Sequence, residues 1–326
     1  MEAFIKCISY YLPSLKLCND DISKQFPEWD SEKIIQKIGV KNRSIADKNE
    51  FTSDIAVNAI NNLCIEHDVD KSIIDYLIVC TQSPDYFLPT TACIIQNKAG
   101  LSTSCAAIDI NQGCSGYIYG LSLAKGLIVA GIAKNVVLVT AEMYSKYIHN
   151  QDKGNRSIFG DAGTATLIAS DGKYRLGQFS LGTDGSGFEN LIVKNGASRN
   201  KKEADDLVPN DNNLYMNGPE IFNFTAKAVP NLVKETLQKN DENIEDINQY
   251  IFHQANTFML DYLRKKINIP KDKFLVDMED YGNTVSSTIP IALKNRMEKI
   301  IDDKILLAGF GVGYSWGALV IYNNKK

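Results

Sequence analysis

A chain of 326 residues is long enough to bury a large core and sits near the size at which one core gives way to two. Apolar residues make up 44% and charged residues 23%, as in ordinary globular proteins; a net charge of -4 with no basic stripe argues against a nucleic-acid partner. Seven cysteines, an odd number with no CxxC spacing, argue against a disulfide framework or structural zinc, and three histidines without an HExxH pattern argue against a catalytic metal.

In chain order, the opening MEAFIKCISYYLPSLK is interrupted by Lys6 and Pro13 and lacks the long apolar region of a secretory signal. No later stretch approaches the length of a membrane span, so a cytoplasmic protein is expected. Short β-branched apolar runs predict buried strands at Asp75–Cys80, Asn135–Ala141, Thr164–Ser170, Tyr250–Gln254, Lys304–Phe310 and Gly317–Tyr322. Gly116–Ile128 reads as a nearly all-apolar, central helix, and Thr225–Gln238 and Ile289–Ile301 read as amphipathic helices. Strands alternating with helices predict an α/β fold. The polar stretch Asn195–Asn217 reads as an exposed surface loop, with a lid over a substrate entrance as the alternative.

The order of features repeats. Asp75–Cys80 is followed by IDINQGC ending at Cys114, and Asn248–His253 by VDMEDYGN ending at Asn283. The strands VVLVTA and ILLAGF come next, then a Gly-containing segment and a last strand in each case. A duplicated α/β unit is the physical reading.

Cys114 follows a strand-like stretch and precedes the apolar helix, so it is expected at a helix N-terminus, where free N–H groups favour a thiolate and could hold an oxyanion. A buried cysteine at a tight turn is the competing reading. His253 closes an apolar strand, where α/β sites form, although a lone histidine there reads first as a satisfied core residue. Asn283 reads locally as a helix cap and gains interest from the repeat, which gives it the position that Cys114 holds in the first unit. The glycines from Gly309 to Gly317 precede a strand rather than a helix, which excludes a dinucleotide cradle and leaves close backbone approach to a buried site.

Together, the GCSG turn at Cys114, His253-Gln-Ala-Asn256, Gly282-Asn283-Thr and the closing GFGVGYSWGALV resemble the β-ketoacyl-acyl-carrier-protein synthase III branch of the thiolase-fold condensing enzymes. Phe159-Gly-Asp-Ala-Gly163, the Thr183-Asp-Gly-Ser segment and Met216–Phe222 add to the resemblance, which spans nearly the whole chain. It implies a five-layered αβαβα fold of two duplicated halves, 1–172 and 173–326, and a homodimer. It also implies that Cys114 carries an acyl group as a thioester, while His253 and Asn283 stabilise the enolate formed when malonyl-acyl carrier protein loses carbon dioxide. The N–H groups of Cys114 and Val312 would form an oxyanion hole, and Phe310 would sit beside the departing carboxylate. Substrates would be acyl-CoA or acyl-carrier thioesters and malonyl-carrier protein, with no external cofactor.

Substrate-binding positions implied by the resemblance are Asn256, Leu88, Lys33 and Lys37. Leu88, before Pro89, stands where an aromatic gate is usual, and Lys33 and Lys37 replace the Trp and Arg that grip the CoA adenine in primer-specific members. Lys265 and Lys266 match the carrier-docking patch, whereas its arginine is replaced by Phe258 or Met259. Two alternatives stay open: acyl transfer from Cys114 to an alcohol or amine without carbon–carbon bond formation, and a non-catalytic carrier-binding protein. Retention of both His253 and Asn283 favours condensation, because plain transfer needs no enolate pocket. The pathway, fatty-acid initiation or a specialised product, is open as well.

Overall fold

Strands that are apolar on both faces must be covered on both sides, and that demand sets the architecture. The computed structural model describes residues 2–199, 212–299 and 302–324. Its strands are β1 (Phe4–Tyr11), β2 (Leu15–Cys18), β3 (Asn42–Ile45), β4 (Tyr76–Cys80), β5 (Ala106–Ile110), β6 (Asn135–Glu142), β7 (Ala162–Ala169), β8 (Tyr174–Thr183), β9 (Leu191–Val193), β10 (Leu214–Met216), β11 (Gln249–Phe252), β12 (Lys304–Gly311) and β13 (Ser315–Asn323). The helices are α1 (Asn19–Gln25), α2 (Ser31–Ile38), α3 (Thr52–His67), α4 (Thr91–Lys98), α5 (Gly116–Val129), α6 (Lys153–Ile158), α7 (Gly218–Lys239), α8 (Thr257–Ile267) and α9 (Thr288–Met297).

The duplication expected from the sequence is present in the strand order. The first unit runs β5-β4-β6-β7-β1, with β4 parallel to β5 and β6, and β7 antiparallel to β6 and β1. The second runs β11-β12-β13-β8 with the same alternation, and Phe274 adds a parallel bridge beside Tyr250, where β5 lies beside β4 in the first unit. Only two residue pairs, Phe4 with Arg175 and Ile5 with Tyr174, join the two sets into one nine-stranded sheet.

The layers follow from alternation along each strand. In β6, Val136 and Leu138 face α5, while Val137 and Val139 face the outer helices α3 and α4. In β12, Ile305 and Leu307 join the same central cluster, while Leu306 and Ala308 face α7 and α8. The central helices α5 and α9 are therefore packed against the strands of both units, giving the five-layered αβαβα fold. The all-apolar reading of α5 holds because Tyr117, Ile118, Leu121, Ala124 and Ile128 are all buried at this centre.

The short apolar runs locate their strands to within one or two residues, but His253 and Gln254 lie just past the end of β11 rather than inside it. In the polar stretch 195–217, residues 200–211 lie outside the described residues, and Leu214–Met216 forms a strand paired with β9. Strands β1 and β8 carry no clear run because polar residues interrupt them, as in FIKCISYY and YRLGQFSLGT.

The glycine-rich end of β12 fulfils the expected close approach. A Cβ at Gly309 would lie 2.7 Å from the Cys114 carbonyl oxygen and 2.8 Å from Ser115 Cα; one at Gly311 would lie 2.8 and 2.9 Å from Cys114 Cβ and Sγ. Gly126, in α5, has open space around the same position. Gly309→Ala should therefore lower stability by about 1–3 kcal/mol through overpacking against backbone, and Gly126→Ala should raise it by about 0.5–1 kcal/mol through helix propensity; urea unfolding midpoints of the two variants check the contrast.

Candidate active site

Two loops at corresponding places in the duplicated units bring the chemistry together. Cys114 lies between β5 and α5, two residues before the helix starts. Asn283 lies between the Phe274 bridge and α9. His253 follows β11, with its N–H held by the Ala308 carbonyl of β12 at 2.8 Å. Cys114, His253, Asn283, Asn256 and Phe310 all line one cavity of about 170 Å³, walled further by apolar residues including Phe159 and Leu191.

The asparagine is oriented by a strained backbone. Val285, fully buried, has φ 55°, a left-handed conformation that β-branched residues rarely adopt. Its N–H donates to Asn283 Oδ1 at 2.9 Å, so the Asn283 amide turns its NH2 toward the site, 3.5 Å from His253 Nε2 and from the Ala255 carbonyl. The Asn283 backbone is pinned as well, its N–H donating to Ile158 and its carbonyl accepting from Gly160.

The histidine is buried and neutral, because burial lowers its pKa to about 3 and the Val285 backbone carbonyl offsets this only in part. Thr288 Oγ1 lies 2.8 Å from His253 Nδ1 and 3.0 Å from the Val285 carbonyl. The direction of that one hydroxyl proton selects the tautomer: donated to Nδ1, it leaves the ring proton on Nε2, on the side of Asn283.

Burial dominates at the nucleophile too. The Cys114 thiol is pushed up to about 12 by burial and by its proximity to Glu142, while the N–H groups of Cys114 and Val312, both reaching its sulfur, act in the opposite direction. Cys114 sits at the helix N-terminus as expected, yet the free site favours the thiol, not the thiolate; desolvation outweighs the local donors. Glu142 closes β6, the middle strand of the first unit, and is fully buried, with its pKa raised to about 8 by burial. It accepts from the Gln82 N–H at 3.1 Å and from the Ser286 hydroxyl at 3.1 Å, tying the two loops around Cys114 to each other.

The other expected positions divide. Asn256 caps α8, its Oδ1 accepting from the Met259 N–H at 2.8 Å, and also lines the cavity. Val312 contributes its backbone N–H, while its side chain faces a neighbouring cavity. Leu88 is 82% exposed and does not line the Cys114 cavity of its own chain. Lys33 and Lys37 lie on α2 away from the cavity, Lys33 paired with Asp30 at 2.9 Å and Lys37 over the Trp29 ring at 5.2 Å. Lys265 pairs with Asp261 at 2.6 Å, and Lys266 reaches the Tyr262 hydroxyl at 3.2 Å, both on exposed turns of α8. Glu142, Val285 and Thr288 are missing from the sequence reading; a charged residue ending the apolar run VVLVTA was the available signal for Glu142, and no local signal marked the other two. Among the described residues no cluster of three or more His, Cys, Asp or Glu side chains is arranged to hold a metal ion, and no helix is long and apolar enough to cross a membrane.

Residues 108–185 match the 3-oxoacyl-[acyl-carrier-protein] synthase III family, and residues 237–322 match its C-terminal domain. The chain is 36% identical over 317 residues to the beta-ketoacyl-[acyl-carrier-protein] synthase III of Clostridium perfringens, covering 95% of this chain and 96% of that protein. It is 35% identical over 325 residues to the protein of the same name from Lactococcus lactis subsp. cremoris, covering 96% and 97%. A crystal structure of a 3-oxoacyl-(acyl-carrier-protein) synthase III superposes with a TM-score of 0.95 at 43% identity, covering 99% and 100%, and one from Burkholderia xenovorans with 0.91 at 36% identity, covering 99% and 94%.

Two measurements test this electrostatic picture. Site-resolved mass spectrometry should show Cys114 alkylation by chloroacetamide rising about tenfold per pH unit from 7 to 9 without a plateau, since the thiol titrates above that range. Glu142 holds its proton to about pH 8 in the folded chain but loses it near 4.5 when unfolded. Between these values the folded state binds the extra proton, so stability falls as pH rises. Relative to Glu142→Gln, the wild type should therefore lose on the order of a few kcal/mol between pH 5 and 8 in urea titrations.

Proposed function

Because the chain belongs to the 3-oxoacyl-[acyl-carrier-protein] synthase III family, we propose that it is an acyltransferase that joins an acyl group held on Cys114 to malonyl-acyl carrier protein, releasing carbon dioxide and a 3-oxoacyl-carrier product. The observation that carries this reading is the meeting of Cys114, His253 and Asn283 on one cavity.

In the first half-reaction the Cys114 sulfur–acyl bond forms, the bond from the acyl carbon to the donor thiol breaks, and the Cys114 proton leaves with that thiol. The N–H groups of Cys114 and Val312, which converge on the sulfur, hold the negative oxygen of the tetrahedral intermediate. In the second, malonyl thioester binds with its carbonyl oxygen toward His253 Nε2 and the Asn283 NH2. Both donors are neutral and fixed before substrate arrives, so they stabilise the enolate more than the starting ester. Phe310, whose ring lies edge-on to His253 with centroids 5.9 Å apart, gives the departing carboxylate an apolar neighbour that favours loss of charge as carbon dioxide. The enolate carbon attacks the acyl carbonyl on Cys114, and the thiolate so released is reprotonated. No external cofactor enters.

Carrier protein docks, in this reading, on the basic face of Lys265 and Lys266 on α8, beside α2 with Lys33 and Lys37. Tyr86, Phe87 and Leu88 are 64%, 83% and 82% exposed; so continuous an apolar loop calls for a partner, and we assign it to a homodimer in which Leu88 of the partner subunit gates the cavity. The two duplicated units divide at 172 and 173, between β7 and β8. The enzyme works in the cytoplasm.

Purified protein, an acyl donor and radiolabelled malonyl-carrier protein should release carbon dioxide and yield a 3-oxoacyl product. His253→Ala and Asn283→Ala should lower carbon dioxide release by about a hundredfold or more, while intact-mass spectra still show acyl-Cys114 forming. Acylation that turns over only with an alcohol or amine acceptor would instead establish plain transfer.

A further inference from the structure

A second cavity, of about 310 Å³, adjoins the nucleophile. It shares Leu191 with the Cys114 cavity, and its wall includes Val312, whose N–H reaches the Cys114 sulfur. Tyr144, Leu191 and Leu214 pack in one cluster with Cys114 itself. Neither His253 nor Asn283 lines this second cavity, so the two cavities offer Cys114 different surroundings.

Half of that wall is polar. Tyr144, 4% exposed, donates its hydroxyl to Gln82 Oε1 at 2.6 Å. This bond consumes the acceptor end of the Gln82 amide and leaves its NH2 without a protein partner among the described residues. Tyr147 and the exposed Asn111 also line the cavity. The Gln82 backbone is held independently, its N–H donating to Glu142, so the side chain is presented from a fixed point. A plain alkyl chain would strip water from these donors and offer nothing in return.

We infer that the acyl group carried on Cys114 bears an oxygen beyond its thioester carbonyl, a hydroxyl or oxo group that accepts from the Gln82 NH2 and meets the Tyr147 hydroxyl, while its carbons lie against Leu191 and Leu214. This rests on the reading that Cys114 is acylated, and it names the class of primer. The selecting step is the transfer itself: the sulfur–acyl bond forms as the donor carbon–sulfur bond breaks, and the thiol proton departs on the donor sulfur. A site built to hydrogen-bond its substrate rejects the analogue lacking that group far more strongly than a site that merely has room for one more methylene.

The test presents the full-length protein with N-acetylcysteamine thioesters, which remove any contribution from the carrier, and follows acyl-Cys114 by intact mass. The pairs are 3-hydroxybutanoyl against butanoyl and 3-hydroxyhexanoyl against hexanoyl. The hydroxylated member of at least one pair should acylate about tenfold faster or more, and both Gln82→Leu and the volume-conserving Tyr144→Phe should bring that ratio down toward one. Equal or faster acylation by the plain chains in wild type overturns the inference while leaving Cys114 acylation standing. A preference for the hydroxylated chains that survives both substitutions overturns it too. No mass shift with any donor, in protein whose circular dichroism shows it folded, overturns the underlying reading and this inference with it.

Discussion

The contact between the end of β12 and the start of α5 is the constraint on which the site depends. Gly309 and Gly311 bring the backbone of the second unit against Cys114 and Ser115 of the first, at distances that a methyl group would violate. That approach carries the Val312 N–H to the Cys114 sulfur and holds Phe310 beside His253. It is possible because α5 lies between the two sets of strands, and α5 tolerates that position because Tyr117, Ile118, Leu121, Ala124 and Ile128 give it an apolar buried face there.

Burial then decides the electrostatics. A cysteine at a helix N-terminus in open solvent would gain thiolate character; here desolvation reverses the balance, and the same desolvation keeps His253 and Glu142 uncharged at neutral pH. The free site is thus an assembly of neutral dipoles. Such donors bind a neutral thioester without a charge to desolvate and become more valuable as negative charge develops on its oxygen. The strain at Val285 belongs to the same design, since one unfavourable backbone conformation aims the Val285 N–H at Asn283 Oδ1 and so directs the Asn283 amide.

Where one residue serves two cavities, catalysis and specificity are coupled. Val312 offers its N–H to the reacting sulfur and its side chain to the neighbouring space, and Leu191 borders both. Under the proposed chemistry, the side chains that read the acyl group, Gln82 and Tyr144, follow strands β4 and β6 of the same sheet that carries Glu142.

Strands β4, β6, β11, β12 and β13 and helix α5 were legible as apolar runs of the right length, and the repeated order of features anticipated that Asn283 would hold in the second unit the position that Cys114 holds in the first, while the central burial of α9 was not anticipated, since it reads as amphipathic. Glycine spacing anticipated the close approach at β12. Strands β1 and β8 were not legible, because the polar residues along them obscure the apolar pattern. Near the nucleophile, Gln82, Tyr144, Val285 and Thr288 carry no local pattern at all: their roles arise from side chains that lie far apart in the chain and meet only across folded loops. The amino-acid order determined by itself which residues could be chemical and which segments had to be buried, since both follow from local composition and period. Only the tertiary structure decided that Leu88 stands exposed, that Cys114 is held as a thiol, and that a partly polar cavity lies beside it, because exposure, desolvation and hydrogen-bond partnership are properties of the packed surroundings rather than of the residue.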